Sequence, residues 1–128
     1  STMDNINLTN SEWYVLDCLW EHSPMTVMEL VSALDRRLGW AKSTTITTLR
    51  RMEAKGLVLC AMEGRTRHYS PNLHRDQAVR GETRSFLDKV YRGSVGLMVS
   101  ALAEDKALSR AEIDELYEIL RKAEEGQI

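Results

Sequence analysis

Apolar residues recur three and four positions apart in two segments near the start of the chain, which is the spacing of one buried helix face. Each segment opens with a threonine followed three residues later by a glutamate, a pairing that caps the first turn of a helix. These pairs are Thr9 with Glu12 and Thr26 with Glu29. Gly39 ends the second predicted helix, because glycine accepts the left-handed conformation of a helix cap. The inward-facing residues are Trp13, Leu16, Leu19, Trp20, Val27, Leu30, Val31, Leu34 and Leu38.

A third helix is predicted between Gly39 and Gly56. Its buried face follows the same helical spacing and consists of Thr45, Thr48, Leu49 and Met52. In this phase Ile46 is an exposed apolar residue that could touch thymine methyl groups in a DNA groove. The alternative is a different phase, in which Ile46 belongs to the core.

Two strands, at 57–62 and 66–70, follow this helix and form a hairpin whose turn contains Gly64. A polar, basic helix followed by a basic hairpin is the layout of a winged helix-turn-helix, which places the helix in the major groove of DNA. The side chains that could contact DNA come from both elements. They are Lys42, Ser43, Thr44, Ile46, Thr47, Arg50 and Arg51 on the helix and Arg65 and Arg67 on the hairpin.

The distribution of charge supports this interpretation, although the net charge of the chain is only −2. Residues 1–35 carry six acidic residues and no Lys or Arg, for −6. Residues 36–92 carry thirteen Lys or Arg and five acids, for +8, and residues 93–128 carry four and eight, for −4. A basic middle between acidic ends concentrates the attraction for phosphate on the helix and hairpin.

Apolar stripes continue beyond the junction at Ser70-Pro71 in two further predicted helices. The first is weakened by Gly93 and Gly96, and the second opens with a third capping box, Ser109 with Glu112. Two helices alone bury too little apolar surface to be stable. They could fold back on the winged helix or pair with a second chain, and a dimer fits better because two-fold DNA readers span two half-sites. The stripe residues are Phe86, Leu87, Val90, Tyr91, Leu97, Met98, Leu102, Ile113, Leu116 and Leu120.

The sequence therefore predicts a mainly α fold with a small β-hairpin, divided into a winged helix at 1–72 and a helical dimerisation region at 73–128. No apolar run approaches the ~18 residues of a membrane-spanning helix, and no signal peptide is visible. Cys18 and Cys60 are expected to be buried free thiols in a reducing cytoplasm. We see no cofactor motif, metal-ligand spacing or catalytic pairing, so the protein is not expected to be an enzyme.

Six stretches of the chain resemble the penicillinase repressor family, which includes the methicillin-resistance and copper-responsive repressors. They extend over nearly the whole length, and the last two are more specific than the winged helix itself. These stretches are SEWYVLDCLW at 11–20, Gly39-Trp40, STTITTLRRMEAKGLV at 43–58, RTRHYSP at 65–71, and FLDKVYRGS at 86–94 with LSRAEIDELYEIL at 108–120.

This resemblance implies a homodimeric repressor that binds double-stranded DNA at an inverted-repeat operator, often of TACA/TGTA character. It implies control of β-lactam resistance or a related stress operon. In members of this family, repression is relieved through a membrane sensor. Its signal leads to cleavage of the repressor, typically between Asn and Phe in the dimerisation region. The matching positions here are Ala101 and Leu102, which depart from that pattern. No cysteine follows Cys60, so the cysteine cluster of the copper-responsive branch is absent from this sequence.

Two alternatives remain open at this stage. One is a winged helix that binds another protein rather than DNA, which would not require the grouping of Arg50, Arg51, Arg65 and Arg67. The other is a winged-helix regulator gated by a small molecule bound between the two regions. The sequence contains no convergent set of polar residues that marks such a pocket.

Overall fold

The structure is a computed structural model that describes residues 7–127. Its elements form a mainly helical chain with one small sheet, as the sequence predicted. In chain order they are α1 (Asn10–Glu21), β1 (Met25–Thr26), α2 (Val27–Leu38), α3 (Lys42–Lys55), β2 (Val58–Glu63), β3 (Thr66–Pro71), α4 (Arg75–Tyr91), α5 (Val95–Glu104) and α6 (Arg110–Glu124).

The caps of the first two helices are those that the sequence indicated. The backbone N–H of Glu12 donates to Thr9 Oγ1 at 3.2 Å, while the Thr9 N–H donates to the Glu12 carboxylate at 2.8 Å. Thr26 and Glu29 form the same reciprocal pair at the start of α2. Gly39 closes α2 with φ of 70°, a left-handed conformation that glycine adopts without steric cost.

The sheet has three antiparallel strands in the order β1-β3-β2, so β3 lies in the middle. Tyr69 of β3 is opposite Met25 of β1 on one side and Cys60 of β2 on the other. The hairpin was predicted to within one residue at each strand end. Strand β1 was missed, because two residues are too few to show an alternating pattern and Thr26 also caps α2.

One hydrophobic core joins the three N-terminal helices to the sheet. Its fully buried large side chains come from every helix that the sequence predicted here and include Leu16, Leu19, Leu30, Leu34, Leu49 and Met52. Some of the expected core residues are less buried than predicted. Leu38 is exposed because it lies in the last turn of α2. The half-buried ones are Trp13, Trp20, Val27, Val31, Thr48 and Cys60.

Two compact units divide the chain, the first ending at Thr83 and the second beginning at Arg84. The core of the first unit includes Leu73 and Ala78, which lie beyond residue 72. The division at residues 72 and 73 stays a prediction.

The region after residue 73 contains three helices rather than the two expected. Arg92 and Gly93, with φ of 52° and 82°, end α4 instead of merely weakening it. The Ser94 side chain then accepts a hydrogen bond from the Leu97 N–H at 3.1 Å and so starts α5 anew. The third capping box, Ser109 with Glu112, begins α6 as predicted. No described residue of α5 or α6 is buried.

Candidate nucleic-acid interface

Helix α3 turns one face to the core and presents the opposite face to solvent. Thr45, Leu49 and Met52 are buried, in agreement with the predicted phase. Gly56, with φ of 77°, ends the helix as expected. Six predicted DNA-contacting residues of this helix are exposed, namely Lys42, Ser43, Thr44, Thr47, Arg50 and Arg51.

The burial of Ile46 is intermediate between the two alternatives that the sequence left open, an exposed residue and a core residue. It is half-buried, beside the buried Leu49, and lines a surface cavity together with Val27 and Tyr69. It therefore contributes to the edge of the core while part of its side chain faces solvent.

The two neighbouring arginines of α3 serve different sides of the helix. Arg50 lines the cavity between α3 and β3, together with Arg67. Arg51 lines a polar trough between α3 and the first turn of α1, together with Ser11 and Thr48. Arg50 and Arg51 therefore lie on different flanks of α3, one beside β3 and the other beside α1.

The turn of the hairpin brings two further arginines to the surface. Gly64 has φ of 63° at the tip, and Arg65 and Arg67 are both exposed. The Arg67 guanidinium donates to Cys60 Sγ at 3.8 Å, and this contact and one to Tyr69 raise the pKa of Arg67. The contact with Cys60 places the Arg67 guanidinium beside β2.

Sequence reasoning missed the contribution of α1 to this surface. The polar trough is lined by Ser11 from α1 and by Ser43, Thr44, Thr47, Thr48 and Arg51 from α3. The sequence around Ser11 does not indicate this role, because Ser11 lies between Thr9 and Glu12, the two residues of the α1 capping box. Only the packing of α1 beside α3 brings it next to the predicted residues.

Lys55, at the end of α3, pairs with an acidic residue of α1, although its side chain is 53% exposed. Its ammonium group donates to the carboxylate of Glu12 at 2.6 Å, and the Glu12 side chain is only 5% exposed. Burial alone would raise the pKa of Glu12. The hydrogen bond and charge of Lys55 and the hydrogen bonds of Thr9 outweigh it, so the pKa lies below its ordinary value. Glu12 is therefore a carboxylate that ties α1 to α3.

The predicted dimerisation residues lie on α4, α5 and α6. Half of them are exposed, and the other half are only partly covered within one chain. The exposed ones are Phe86, Val90, Leu97, Leu102 and Leu120, and the half-buried ones are Leu87, Tyr91, Met98, Ile113 and Leu116. A substantial apolar surface thus lies open to solvent on these helices.

Cys18 and Cys60 are free thiols, the first buried and the second half-buried. Within residues 7–127, no three His, Cys, Asp or Glu side chains come together in a way that could hold a metal ion. None of the helices in the described part of the chain combines the length and the apolar character needed to cross a membrane.

Three helices, a three-stranded sheet and an exposed polar α3 beside a basic hairpin define a winged helix, the fold of a large class of transcriptional regulators. The model of the penicillinase repressor family matches residues 8–122, and the chain belongs to that family. The protein is therefore a winged-helix transcriptional repressor and not an enzyme.

Individual relatives agree with this assignment. The penicillinase repressor of Bacillus licheniformis is 32% identical over 115 residues, which cover 90% of each chain. The methicillin resistance regulatory protein MecI of Mammaliicoccus sciuri is 25% identical over 94% of this chain and 99% of its own. A solution structure of monomeric B. licheniformis BlaI in complex with the blaP half-operator matches with a TM-score of 0.51 and 27% identity, over 57% of this chain and 89% of that one.

Proposed function

We propose that the protein is a homodimeric repressor that binds an inverted-repeat operator and controls a β-lactam resistance operon or a related stress operon. The observation that carries this proposal is the exposed face of α3, where Ser43, Thr47 and Arg50 lie open to solvent. Helix α3 is the element that a winged helix inserts into the major groove. The solution structure of monomeric BlaI with a half-operator supports a mode in which one chain reads one half-site.

Residue roles follow from where each side chain lies. Ser43, Thr44 and Thr47 offer hydroxyl groups on the exposed face of α3, and Arg50 offers a guanidinium that can reach guanine in the groove. Lys42, the first residue of α3, is also exposed to solvent. These side chains are the proposed readers of bases.

Phosphate contacts are proposed on both sides of α3. Arg51 and Ser11 line the trough on one flank, and Arg65 and Arg67 belong to the wing on the other. Arginine bonds phosphate with two parallel N–H groups, which fixes orientation as well as adding affinity. The proposed footprint therefore extends from the first turn of α1 to the wing.

The dimer is proposed from the apolar side chains of α4, α5 and α6. Phe86 and Leu97 are each more than half exposed, and so is Leu120. An apolar surface of this extent on a single chain marks an association site. A second copy of the same segment would cover it, and would give the protein two copies of α3 for two half-sites.

Relief of repression by cleavage is not part of the proposal. The bond between Ala101 and Leu102 lies inside α5, and the Ala101 carbonyl accepts a hydrogen bond from the Asp105 N–H at 3.2 Å. The Asn-Phe pair that the resemblance calls for is also absent. A link to a membrane sensor pathway and a cytoplasmic location stay predictions.

Selection of genomic fragments by the purified chain tests the proposal. We expect the recovered fragments to share an inverted repeat beside genes of one pathway. The matched control is Thr47→Ala combined with Arg50→Ala, which should lose this enrichment while keeping the same melting temperature. Fragments without a shared motif, or equal enrichment by the control variant, would favour a winged helix that binds protein instead.

A further inference from the structure

A cavity of about 380 Å³ lies between α3, β3 and the start of α2. This volume is in the range of small-molecule sites, roughly 300–1,000 Å³. The cavity is lined by Val27, Ile46, Leu49, Arg50, Glu53, Arg67 and Tyr69. All of these residues belong to the first compact unit, so the site is complete within it.

The inner walls of this cavity are apolar. Leu49 and Tyr69 are buried, at 1% and 3% exposure, and Val27 and Ile46 are half-buried beside them. Since aliphatic and aromatic walls exclude water, a ligand gains most here by burying an apolar body.

The rim of the cavity carries an excess of positive charge. Arg50 and Arg67 both line it, and neither forms an ion pair with a carboxylate among the described residues. Glu53 is the acidic side chain of the lining, and it accepts a hydrogen bond from the Tyr69 hydroxyl at 3.4 Å. Two guanidinium groups against one carboxylate favour an anionic ligand with one negative charge.

We propose that this cavity binds a small planar carboxylate with an aromatic body, and that this ligand and DNA exclude each other. The exclusion part rests on the proposed function, because Ile46, Arg50 and Arg67 serve both the cavity and the proposed DNA surface. The carboxylate bonds to the two guanidinium groups, and the ring lies against Val27 and Ile46. Such a ligand occupies the guanidinium groups of Arg50 and Arg67, which can then no longer contact DNA. Its binding would therefore relieve repression without proteolysis.

Calorimetry on the full chain without DNA tests the binding part. The probes are 2-naphthoate and 2-naphthamide, which share an aromatic body and differ in charge. We expect the acid to bind about tenfold more tightly, since charge-assisted hydrogen bonds to arginine are stronger than neutral ones. Equal affinities for acid and amide, or no binding of either, would overturn the site.

Two variants sharpen this test without touching the proposed DNA-contacting residues. Glu53→Gln removes the like charge and should tighten naphthoate about two- to fivefold with the amide unchanged. Val27→Phe should fill the cavity and weaken both probes. The matched control is Glu63→Gln, an exposed acid on β2 that does not line the cavity, and it should change neither affinity. If Glu53→Gln behaves like Glu63→Gln, the proposed site is wrong.

Displacement from a short duplex at low salt tests the exclusion part. Naphthoate at its own dissociation constant should double the apparent dissociation constant for DNA, while naphthamide at that concentration and an equal concentration of sodium chloride should not. An apparent dissociation constant for DNA that does not rise in tenfold that concentration of naphthoate would refute exclusion. If the chain binds no duplex at all, the proposed function fails, and the calorimetry still decides whether the cavity takes a carboxylate.

Discussion

Lys55, at the end of α3, donates a hydrogen bond of 2.6 Å to the carboxylate of Glu12 in the first turn of α1. The carboxylate also accepts the N–H of Thr9, so it closes the α1 cap and holds α3 at the same time. This contact fixes the helix proposed to read DNA against the helix that carries Ser11.

Replacing Glu12 by Gln should lower the free energy of unfolding at pH 7 by about 1 kcal/mol, because a hydrogen bond to a charged partner is lost while glutamine keeps the cap. The pKa of Glu12 in the folded chain lies below its ordinary value of 4.5. The ionised carboxylate therefore stabilises the fold above that value, and the contribution disappears as the pH falls through the folded-state pKa. Urea denaturation between pH 7 and pH 3 should show the variant and wild type converging in acid. A difference that stays constant with pH would contradict this role.

Replacing Thr45 by Val should stabilise the protein. Thr45 is fully buried in α3, and its hydroxyl has no hydrogen-bond partner among the described residues. An unsatisfied buried hydroxyl costs about 1–3 kcal/mol, and valine has nearly the same shape, so a gain of about 1 kcal/mol is expected. Thr48→Val is the control, since the Thr48 hydroxyl donates to the Thr44 carbonyl at 2.7 Å and should give no gain. Thermal unfolding measures both variants, and a loss of stability in Thr45→Val would show that the hydroxyl is satisfied.

Arg50→Ala and Arg51→Ala should differ in their effect on DNA binding. Arg50 lies on the flank of α3 that faces the wing, and its loss should cost about 1–3 kcal/mol of discrimination between operator and scrambled DNA. Arg51 lies in the trough beside Ser11, and its loss should weaken both DNAs equally. Fluorescence anisotropy on the two duplexes decides between these effects. Unchanged binding in both variants would mean that this face of α3 does not meet DNA.

Combined replacement of Arg65 and Arg67 by Ala should flatten the dependence of log affinity on log salt by up to about two phosphate contacts. Both side chains are exposed on the hairpin, and Gly64 allows the tight turn between the strands. A salt titration of operator binding measures the slope. Lys106→Ala, an exposed change in the second unit, serves as the control and should leave the slope alone. A wing variant with the wild-type slope would place the wing away from DNA.

The sequence was sufficient to predict those parts of the fold that local chemistry determines. Thr9, Thr26 and Ser109 each start a helix through a reciprocal pair with a glutamate three residues later, and all three pairs are present. The buried face of α3 was also predicted correctly at Thr45 and Leu49, because helical periodicity is a strong signal over four turns.

The parts that the sequence did not reveal depend on contacts between distant residues. Strand β1 exists because Met25 lies opposite Tyr69, a pairing across 44 residues of chain. The trough needs Ser11 of α1 beside Arg51 of α3, and the cavity needs Val27 beside Arg67. The end of α4 was missed for another reason. Arg92 adopts a left-handed conformation, which is uncommon for arginine and so cannot be predicted from the residue type.

The central claim is that two chains, joined through α4, α5 and α6, read one operator with two copies of α3. Sedimentation of the full chain and of residues 1–83, each alone and with an operator duplex, tests it directly. Residues 1–83 retain Leu73 and Ala78 of the core, and circular dichroism should show that they fold. We expect the full chain to sediment as a dimer at micromolar concentration and to place two chains on one operator. Residues 1–83 should stay monomeric and bind far more weakly, because they lose the effective concentration that linkage provides. A full chain that remains monomeric yet binds the operator tightly would contradict the account.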